Sequence, residues 1–225
     1  METIDFSNDT FYKYRSLNDF ERFLDIVLRK RLYGAYFSEL NDPLEGSFSY
    51  NNLKSYHFKE IRAKLKRTRV CSFSRKSDDQ LFPNDQLMWS HYADSHRGCC
   101  IEFQLTQRNN HLWHLAPVHY SDVLPTIDGC DLEDIQKIVS TKDSRWSKEN
   151  EVRAFRLYPE GKQENSSFFA IQLVAVFMGT RITLDRCQSI KRIIKSIDDK
   201  VKVYRMKEKR LFGELYPELI AEEIL

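Results

Sequence analysis

Residues 88–103 read MWSHYADSHRGCCIEF and hold two histidines, an arginine, a tyrosine and a tryptophan. This is the densest group in the sequence of side chains that can take part in catalysis or binding. Apolar and aromatic residues recur near helical spacing over 86–95, and they alternate with polar residues over 99–105. This pattern predicts a helix followed by a half-buried strand, with Arg97 and Gly98 at the turn between them. A glycine there predicts a backbone angle that other residues resist.

The composition favours one large domain over residues 1–225, because no linker-like stretch interrupts the 225 residues. Lys and Arg (35) nearly balance Asp and Glu (33), so the overall charge gives no strong case for a nucleic-acid or membrane partner. The five cysteines lack CxxC spacing and lie mostly in apolar runs, which is typical of reduced thiols. We therefore expect a cytoplasmic protein with no membrane association.

On both sides of residues 88–103, the spacing of the apolar residues predicts strands and helices in alternation, without regular βαβ repetition. This order favours an α+β fold with a mainly antiparallel β-sheet flanked by about four helices. The predicted strands are 10–15, 34–38, 70–74, 99–105, 118–120, 151–157, 168–178 and 200–206. The predicted helices are 19–32, 53–67, 86–95, 132–140 and 184–197.

The histidines and cysteines give little support for a metal site or for a cysteine nucleophile. The close histidine pairs, His91 with His96 and His111 with His114, lack a carboxylate-bearing motif such as HExxH. Cys99 opens an apolar strand together with the next cysteine, which predicts buried structural thiols rather than reactive ones. The sequence therefore predicts no metal.

A dispersed set of polar residues indicates a different chemistry. Arg15 ends the first strand, Ser72 and Ser74 lie two apart in a middle strand, and Glu149 and Glu151 lead into a later strand. Residues two apart on a strand share one face. A guanidinium binds a pyrophosphate, hydroxyls brace a pocket, and a carboxylate stabilises an oxocarbenium-like centre. Together these groups suit the cleavage of an N-glycosidic bond, although each of the motifs is common.

The chain resembles a bacterial domain-of-unknown-function family that is often associated with phage defence. The resemblance covers nearly the whole chain and is carried by five segments in order. They are FYKYRSL, the LNDP segment at 40–43, VCSFS, LMWSHYADSHRGCCIEF and WSKENEVRAF. The family supplies no reaction.

A more distant resemblance is to ADP-ribosyltransferases, whose arginine, Ser-Thr-Ser and Glu-x-Glu motifs occur in the same chain order. Phe73 departs from that pattern, because it stands where the family has a small polar residue. The resemblance implies a split antiparallel sheet and NAD bound as a substrate without a metal. It implies Glu151 as the catalytic carboxylate and Glu149 as the residue that orients the acceptor. It also implies a cofactor-binding set of Arg15, Tyr14, Ser72, Ser74 and Tyr92.

The leading hypothesis is therefore an NAD-consuming ADP-ribosyltransferase-like enzyme, an intracellular toxin or phage-defence effector. Its partners would be an unknown macromolecular acceptor, protein or nucleic acid, and a neutralising partner. A second hypothesis is a metal-independent nuclease or phosphotransferase that uses His91, His96 and Arg97. A third is a non-enzymatic interaction module in which residues 89–98 are a buried structural support.

Overall fold

The structure is a computed structural model that describes residues 6, 9–42, 44–51, 54–76, 83–106, 112–161, 167–210 and 217–224. The described residues form helices and a mainly antiparallel sheet, which confirms the predicted α+β class. In these described ranges, no helix has the length and apolar character needed to cross a membrane.

Five α-helices occur in the described ranges, together with two short 3-10 helices at Phe37–Glu39 and Ser144–Glu149. The α-helices are α1 (Phe20–Arg29), α2 (Ser55–Lys66), α3 (Gln86–Tyr92), α4 (Leu132–Val139) and α5 (Leu184–Ile197). Helix α5 has the predicted bounds. Helix α1 ends three residues before its predicted end, because Lys30 adopts the left-handed conformation and the chain continues as a strand.

The strands are numbered in chain order. They are β1 (Phe11–Arg15), β2 (Arg31–Tyr33), β3 (Ala35–Tyr36), β4 (Ser49–Tyr50), β5 (Thr68–Arg75), β6 (Cys99–Leu105), β7 (His114–Pro117), β8 (His119–Tyr120), β9 (Thr126–Ile127), β10 (Thr141–Lys142), β11 (Glu151–Leu157), β12 (Phe168–Met178), β13 (Lys202–Lys209) and β14 (Glu218–Glu223). The predicted bounds of β6, β11 and β12 are confirmed.

The chain forms two compact units. The first comprises Met1–Arg31, Phe73–Thr106 and Ala170–Leu225. Its sheet has the order β14-β13-β12-β6-β1, and the end of β5 pairs with β1. All these pairs are antiparallel except β12 with β13. An apolar cluster built around Trp89 of α3 covers the sheet residues Tyr14, Cys100 and Phe177.

The second unit comprises Leu32–Ser72 and Gln107–Phe169. Its sheet contains β3, the first five residues of β5, β11 and β7. Strand β3 pairs with β5, and β11 pairs with β7, both in the antiparallel direction. Helices α2 and α4 pack together, and their buried residues meet those of β11 in one apolar cluster. Ile61, Ile135 and Phe155 are fully buried there. This core includes Phe155 of β11, the strand that begins at Glu151 of the Glu-x-Glu motif.

The turn between α3 and β6 differs from its predicted form. Asp94, Ser95 and His96 take left-handed backbone angles, with φ values of 49°, 50° and 70°, whereas Gly98 does not. The explanation for Gly98 is space, because a Cβ on this residue would lie 2.2 Å from the backbone oxygen of Arg15. The prediction that the glycine supplies an unusual angle is therefore wrong, and the glycine permits a close backbone contact instead.

Candidate functional site

Glu151 is the first residue of β11, and its side chain is 6% exposed. Arg153 lies two residues further along the strand, so both side chains project from the same face. The Arg153 Nε atom lies 2.7 Å from Glu151 Oε1, and Nη2 lies 3.1 Å from Oε2. The two side chains therefore form a bidentate ion pair inside the second unit.

Lys142 joins the two glutamates of the Glu-x-Glu motif. Its Nζ atom lies 2.6 Å from Glu149 Oε2 and 3.3 Å from Glu151 Oε2. Asn150 adopts a left-handed conformation between the glutamates, with φ of 43°. The same ammonium lies 5.0 Å from the centre of the Trp146 ring, a distance at which a cation is attracted to an aromatic face.

Glu45 completes the group, which we name the buried charge cluster: Glu45, Lys142, Glu149, Glu151 and Arg153. Glu45 Oε2 lies 2.7 Å from Arg153 Nη1, and Glu45 Oε1 lies 3.7 Å from Lys142 Nζ. The five side chains are at most 9% exposed. Three carboxylates face two cations, so the cluster carries one negative charge more than its cations balance. Burial of ions is costly, and only their mutual pairing makes this arrangement tolerable.

The pairing fixes the charge state of the cluster. Burial raises the pKa of Glu151, but Arg153, Lys142 and the Ser72 hydroxyl outweigh it and lower the pKa to about 2. Burial lowers the pKa of Lys142, and the carboxylates of Glu151 and Glu149 reverse this effect, so that the pKa is raised overall. Glu151 is therefore ionised and Lys142 protonated at neutral pH.

The low pKa of Glu151 predicts a loss of stability in acid. Because the carboxyl titrates near 4.5 when unfolded and at about 2 when folded, its contribution is fully present above pH 4.5. It is lost as the pH falls from about 4.5 to about 2, by about 3 kcal/mol in the free energy of unfolding. Urea unfolding at stepped pH measures this change, and Glu151→Gln should flatten the curve in that interval. An unchanged slope in the variant would contradict the assignment.

Two hydroxyl side chains border Glu151. Ser72 lies on β5, the neighbour of β11 in the sheet, and its hydroxyl lies close enough to the Glu151 carboxylate to lower the pKa of that carboxyl group. The Tyr120 hydroxyl accepts the backbone N–H of Glu151 at 2.8 Å. Ser72, Glu149 and Glu151, which are far apart in the sequence, are therefore brought together within the second unit.

The other predicted cofactor-binding residues belong to the first unit. Arg15 lies opposite Cys99, and Tyr14 lies opposite Cys100, in adjacent rows of β1 and β6. Adjacent residues of a strand point to opposite faces. The guanidinium of Arg15 and the ring of Tyr14 therefore lie on different faces of this sheet, which separates two side chains that the ADP-ribosyltransferase resemblance assigned to one ligand.

The tyrosines and Ser74 pack in the interior of the first unit to different extents. The Tyr14 ring is 5% exposed and meets Trp89 edge-on, with ring centres 5.4 Å apart. Tyr92 is partly buried against the same apolar cluster. Ser74 is 3% exposed and pairs in register with Tyr12. If nicotinamide stacked on Tyr14, the contact between the Tyr14 and Trp89 rings would have to open. The Nε atom of Arg15, by contrast, has no hydrogen-bond partner among the described residues, so it needs no such rearrangement to bind a ligand.

The residues of the nuclease hypothesis have separate environments. The His96 ring stacks on Trp89, and burial together with Arg181 lowers its pKa, which favours neutral imidazole at neutral pH. His91 is exposed and lies beside the ring of Tyr92. The guanidinium of Arg97 contacts Asp94 through two nitrogen atoms at 3.2 Å. A phosphate ligand would have to compete with Asp94 for Arg97.

Metal ligands are not grouped in the part of the chain that the structure describes. No set of three or more His, Cys, Asp or Glu side chains there has a geometry that could hold a metal ion. His111 lies outside the described residues, so this statement does not extend to its spacing with His114.

Sequence reasoning missed three members of the buried charge cluster. Arg153 could have been found, because the spacing Glu-x-Arg places it on the same strand face as Glu151. Glu45 gives no local signal, since its partners Lys142 and Arg153 are distant in the sequence. Lys142 precedes Glu149 and Glu151 by seven and nine residues, and no single helix or strand relates these positions. Lys142 lies between the predicted helix 132–140 and the predicted strand 151–157, in a segment with no assigned element.

The fold and the cluster define an α+β protein with an ionised carboxylate buried at the start of a strand. A family model described as "Protein of unknown function (DUF2971)" matches residues 88–154. The match supports the predicted likeness to a domain-of-unknown-function family, and it includes Lys142, Glu149, Glu151 and Arg153. No curated protein and no solved structure matches the chain.

Proposed function

We propose that the protein cleaves the bond between nicotinamide and ribose in NAD and transfers ADP-ribose to a macromolecular acceptor. In this reaction nicotinamide leaves with the bonding electron pair, and positive charge develops at the ribose carbon. A nucleophile of the acceptor then bonds to that carbon and loses a proton. A fixed negative charge beside the ribose stabilises the intermediate charge and accelerates the reaction.

The observation that supports this proposal is the ionised carboxylate of Glu151 with the Ser72 hydroxyl beside it. A carboxylate with a pKa of about 2 stays charged at every physiological pH. It can therefore stabilise the positive charge that develops on the ribose, and the Ser72 hydroxyl can help to position the carboxylate toward the substrate. The bidentate contact with Arg153 fixes its orientation, which lowers the cost of reorganisation in the transition state.

The remaining roles in the proposal follow the sequence resemblance. Glu149 would orient the acceptor, with Lys142 holding its carboxylate. Binding of the NAD phosphates by Arg15, and contacts from Tyr14, Ser74 and Tyr92, stay predictions. An enzyme of this kind would deplete NAD in the cell that makes it. A toxin or phage-defence role and a neutralising partner therefore belong to the same proposal.

The test is the release of nicotinamide from labelled NAD in the presence of cell extract, because the acceptor is unidentified. We expect the wild-type protein to release nicotinamide and to label a macromolecule. We expect Glu151→Gln to lower the rate about 100-fold or more, because the charge that stabilises the transition state is removed. Ser72→Ala should lower the rate less and leave the charge in place.

Glu133→Gln is the matched control, because this residue is an exposed glutamate in the first turn of α4. It should retain the wild-type rate. Circular dichroism of each variant separates loss of the reaction from loss of folding. Absence of nicotinamide release from the folded wild-type protein, or an unchanged rate in folded Glu151→Gln, would overturn the proposal.

A further inference from the structure

A pocket of about 290 Å³ lies within the second unit, beside the buried charge cluster. It is lined by residues 42 and 44–47, by residues 121–125 and by residues 141–143. Glu45 and Lys142 belong both to the pocket wall and to the cluster. The volume is at the lower end of that of ligand sites, and it suits one side chain or a small molecule better than a large cofactor.

The pocket wall is strongly acidic. Four of its side chains are carboxylates, and one is an ammonium; they are Asp42, Glu45, Asp122, Asp143 and Lys142. The unequal number of charges gives the cavity a negative potential, which low-dielectric walls strengthen. A cationic group is therefore the ligand that the pocket favours.

The cations that form ion pairs with these carboxylates in the described part of the chain do not cancel their charge. Lys142 is held by Glu149 and Glu151 in the cluster. Arg145 binds both carboxylate oxygens of Asp143 at 2.8 Å. When these partners and Arg153 are included, six carboxylates face three cations, so the excess negative charge persists.

Apolar side chains surround the same pocket and face solvent. Leu44, Val123 and Leu124 line it and are 63%, 75% and 50% exposed. Single exposed apolar residues are ordinary, but several around one concave acidic site are typical of an interaction surface. A small free cation would leave these side chains in water, whereas a protein segment would cover them.

Local hydrogen bonds fix the backbone at two of these apolar residues. The Ser121 hydroxyl donates to the backbone oxygen of Val123 and accepts from its N–H, at 2.9 and 3.0 Å. A carboxylate oxygen of Asp42 accepts the N–H of Leu44 at 2.9 Å. The Ser144 hydroxyl donates to Asp122. Preformed loops reduce the conformational entropy that a partner must overcome on binding.

We propose that this pocket and its rim form a docking site for a protein segment that presents a basic side chain between apolar side chains. The basic group enters the acidic pocket, and its apolar neighbours cover Leu44, Val123 and Leu124. An arginine suits the site best, because a planar guanidinium binds carboxylates through two nitrogen atoms at once. The docking site is independent of the proposed reaction with NAD.

Fluorescence anisotropy with short labelled peptides tests the docking site directly. The probe is the peptide LVRLV, and the matched probes are LVQLV and LVELV. We expect LVRLV to bind at least about tenfold more tightly than LVQLV, and LVELV not to bind. Raising the salt concentration should weaken the binding of LVRLV, because part of the attraction is electrostatic.

Variants assign the binding to this pocket. The double variant Asp122→Asn and Asp143→Asn should weaken LVRLV binding about tenfold, because it removes two carboxylates and releases Arg145 as a competing cation. Val123→Ser should weaken it a few fold. Asp185→Asn is the matched control, since Asp185 is an exposed aspartate at the start of α5 in the first unit, and it should bind as the wild type does.

Equal binding of the arginine and glutamine peptides would overturn the proposal, as would absence of LVRLV binding at millimolar peptide. The proposal would also be overturned if a single-stranded oligonucleotide bound tightly and bound more tightly still to the double variant. The two proposals fail separately. Nicotinamide release without peptide binding would overturn the docking site alone, and peptide binding without nicotinamide release would overturn the enzyme alone.

Discussion

Replacing Arg153 with methionine is expected to lower the free energy of unfolding by about 3–5 kcal/mol. The guanidinium is 1% exposed and contacts the carboxylates of Glu151 and Glu45 at 2.7 Å. It also donates to the backbone oxygen of Val139 at 2.7 Å. Without it, Lys142 alone would face three buried carboxylates. The cost arises from the negative charge left without a partner, more than from the lost attraction itself.

Urea unfolding followed by circular dichroism measures the loss, and Arg145→Met is the matched control. Arg145 makes a similar bidentate contact with Asp143 but is 76% exposed, so its removal should cost less than about 1 kcal/mol. The double variant Glu151→Leu and Arg153→Leu should recover part of the loss, because it removes a buried charge together with its partner. If Arg153→Met and Arg145→Met lose equal stability, the cluster is not a buried ion network.

The parts of the fold that the sequence predicts well are those with strong and long patterns. The bounds of β6, β11, β12 and α5 agree with their predicted ranges, because apolar alternation or helical spacing persists over seven residues or more. Each of these elements has a buried face that only one secondary structure satisfies. Local sequence is sufficient for such segments.

Several elements have no comparable local signal. Strands β4, β9 and β10 have two residues each, and they exist because β4 pairs with β9 and β10 with β8. Strand β14 reads ELIAEE, in which Leu219 is buried and most other residues are exposed. It is defined by six residue pairs with β13. Pairing between distant segments decides these strands, and a single sequence does not reveal that pairing.

The candidate site was predictable in a similarly partial way. Residue spacing on one strand relates Glu151 to Arg153, and the order of the motifs suggests Ser72 as a residue of the same site. In the structure the Ser72 hydroxyl is close enough to Glu151 to lower the pKa of its carboxyl group. The spacing also implies that Tyr14 and Arg15, as adjacent strand residues, point to opposite faces. That implication was available from the sequence and weakens the assignment of both to one ligand. The partners Glu45 and Lys142 required the tertiary structure.

Replacing Gly98 with alanine is the second substitution from which we expect a large effect, a loss of about 3 kcal/mol or more in the free energy of unfolding. The added Cβ would lie 2.2 Å from the backbone oxygen of Arg15 and 2.8 Å from that of Ala93. Neither atom belongs to a flexible side chain. Arg15 is held by its pairing with Cys99, and the oxygen of Ala93 accepts the N–H of Gly98 at 2.8 Å. Relief of the clash must therefore move β1 or the turn after α3.

Gly161→Ala separates this steric effect from the general cost of replacing a glycine. Gly161 has a left-handed φ of 74°, but a Cβ there would meet no atom of the described residues within 4 Å. Its replacement should cost about 1 kcal/mol, through backbone strain alone. Urea unfolding of both variants gives the comparison, and hydrogen exchange of the β1 and β6 amides locates the change. If Gly161→Ala costs as much as Gly98→Ala, the close backbone contact is not the reason for glycine at position 98. A larger cost at Gly98, with faster exchange at β1 and β6, identifies the turn after α3 as a packing constraint on the sheet.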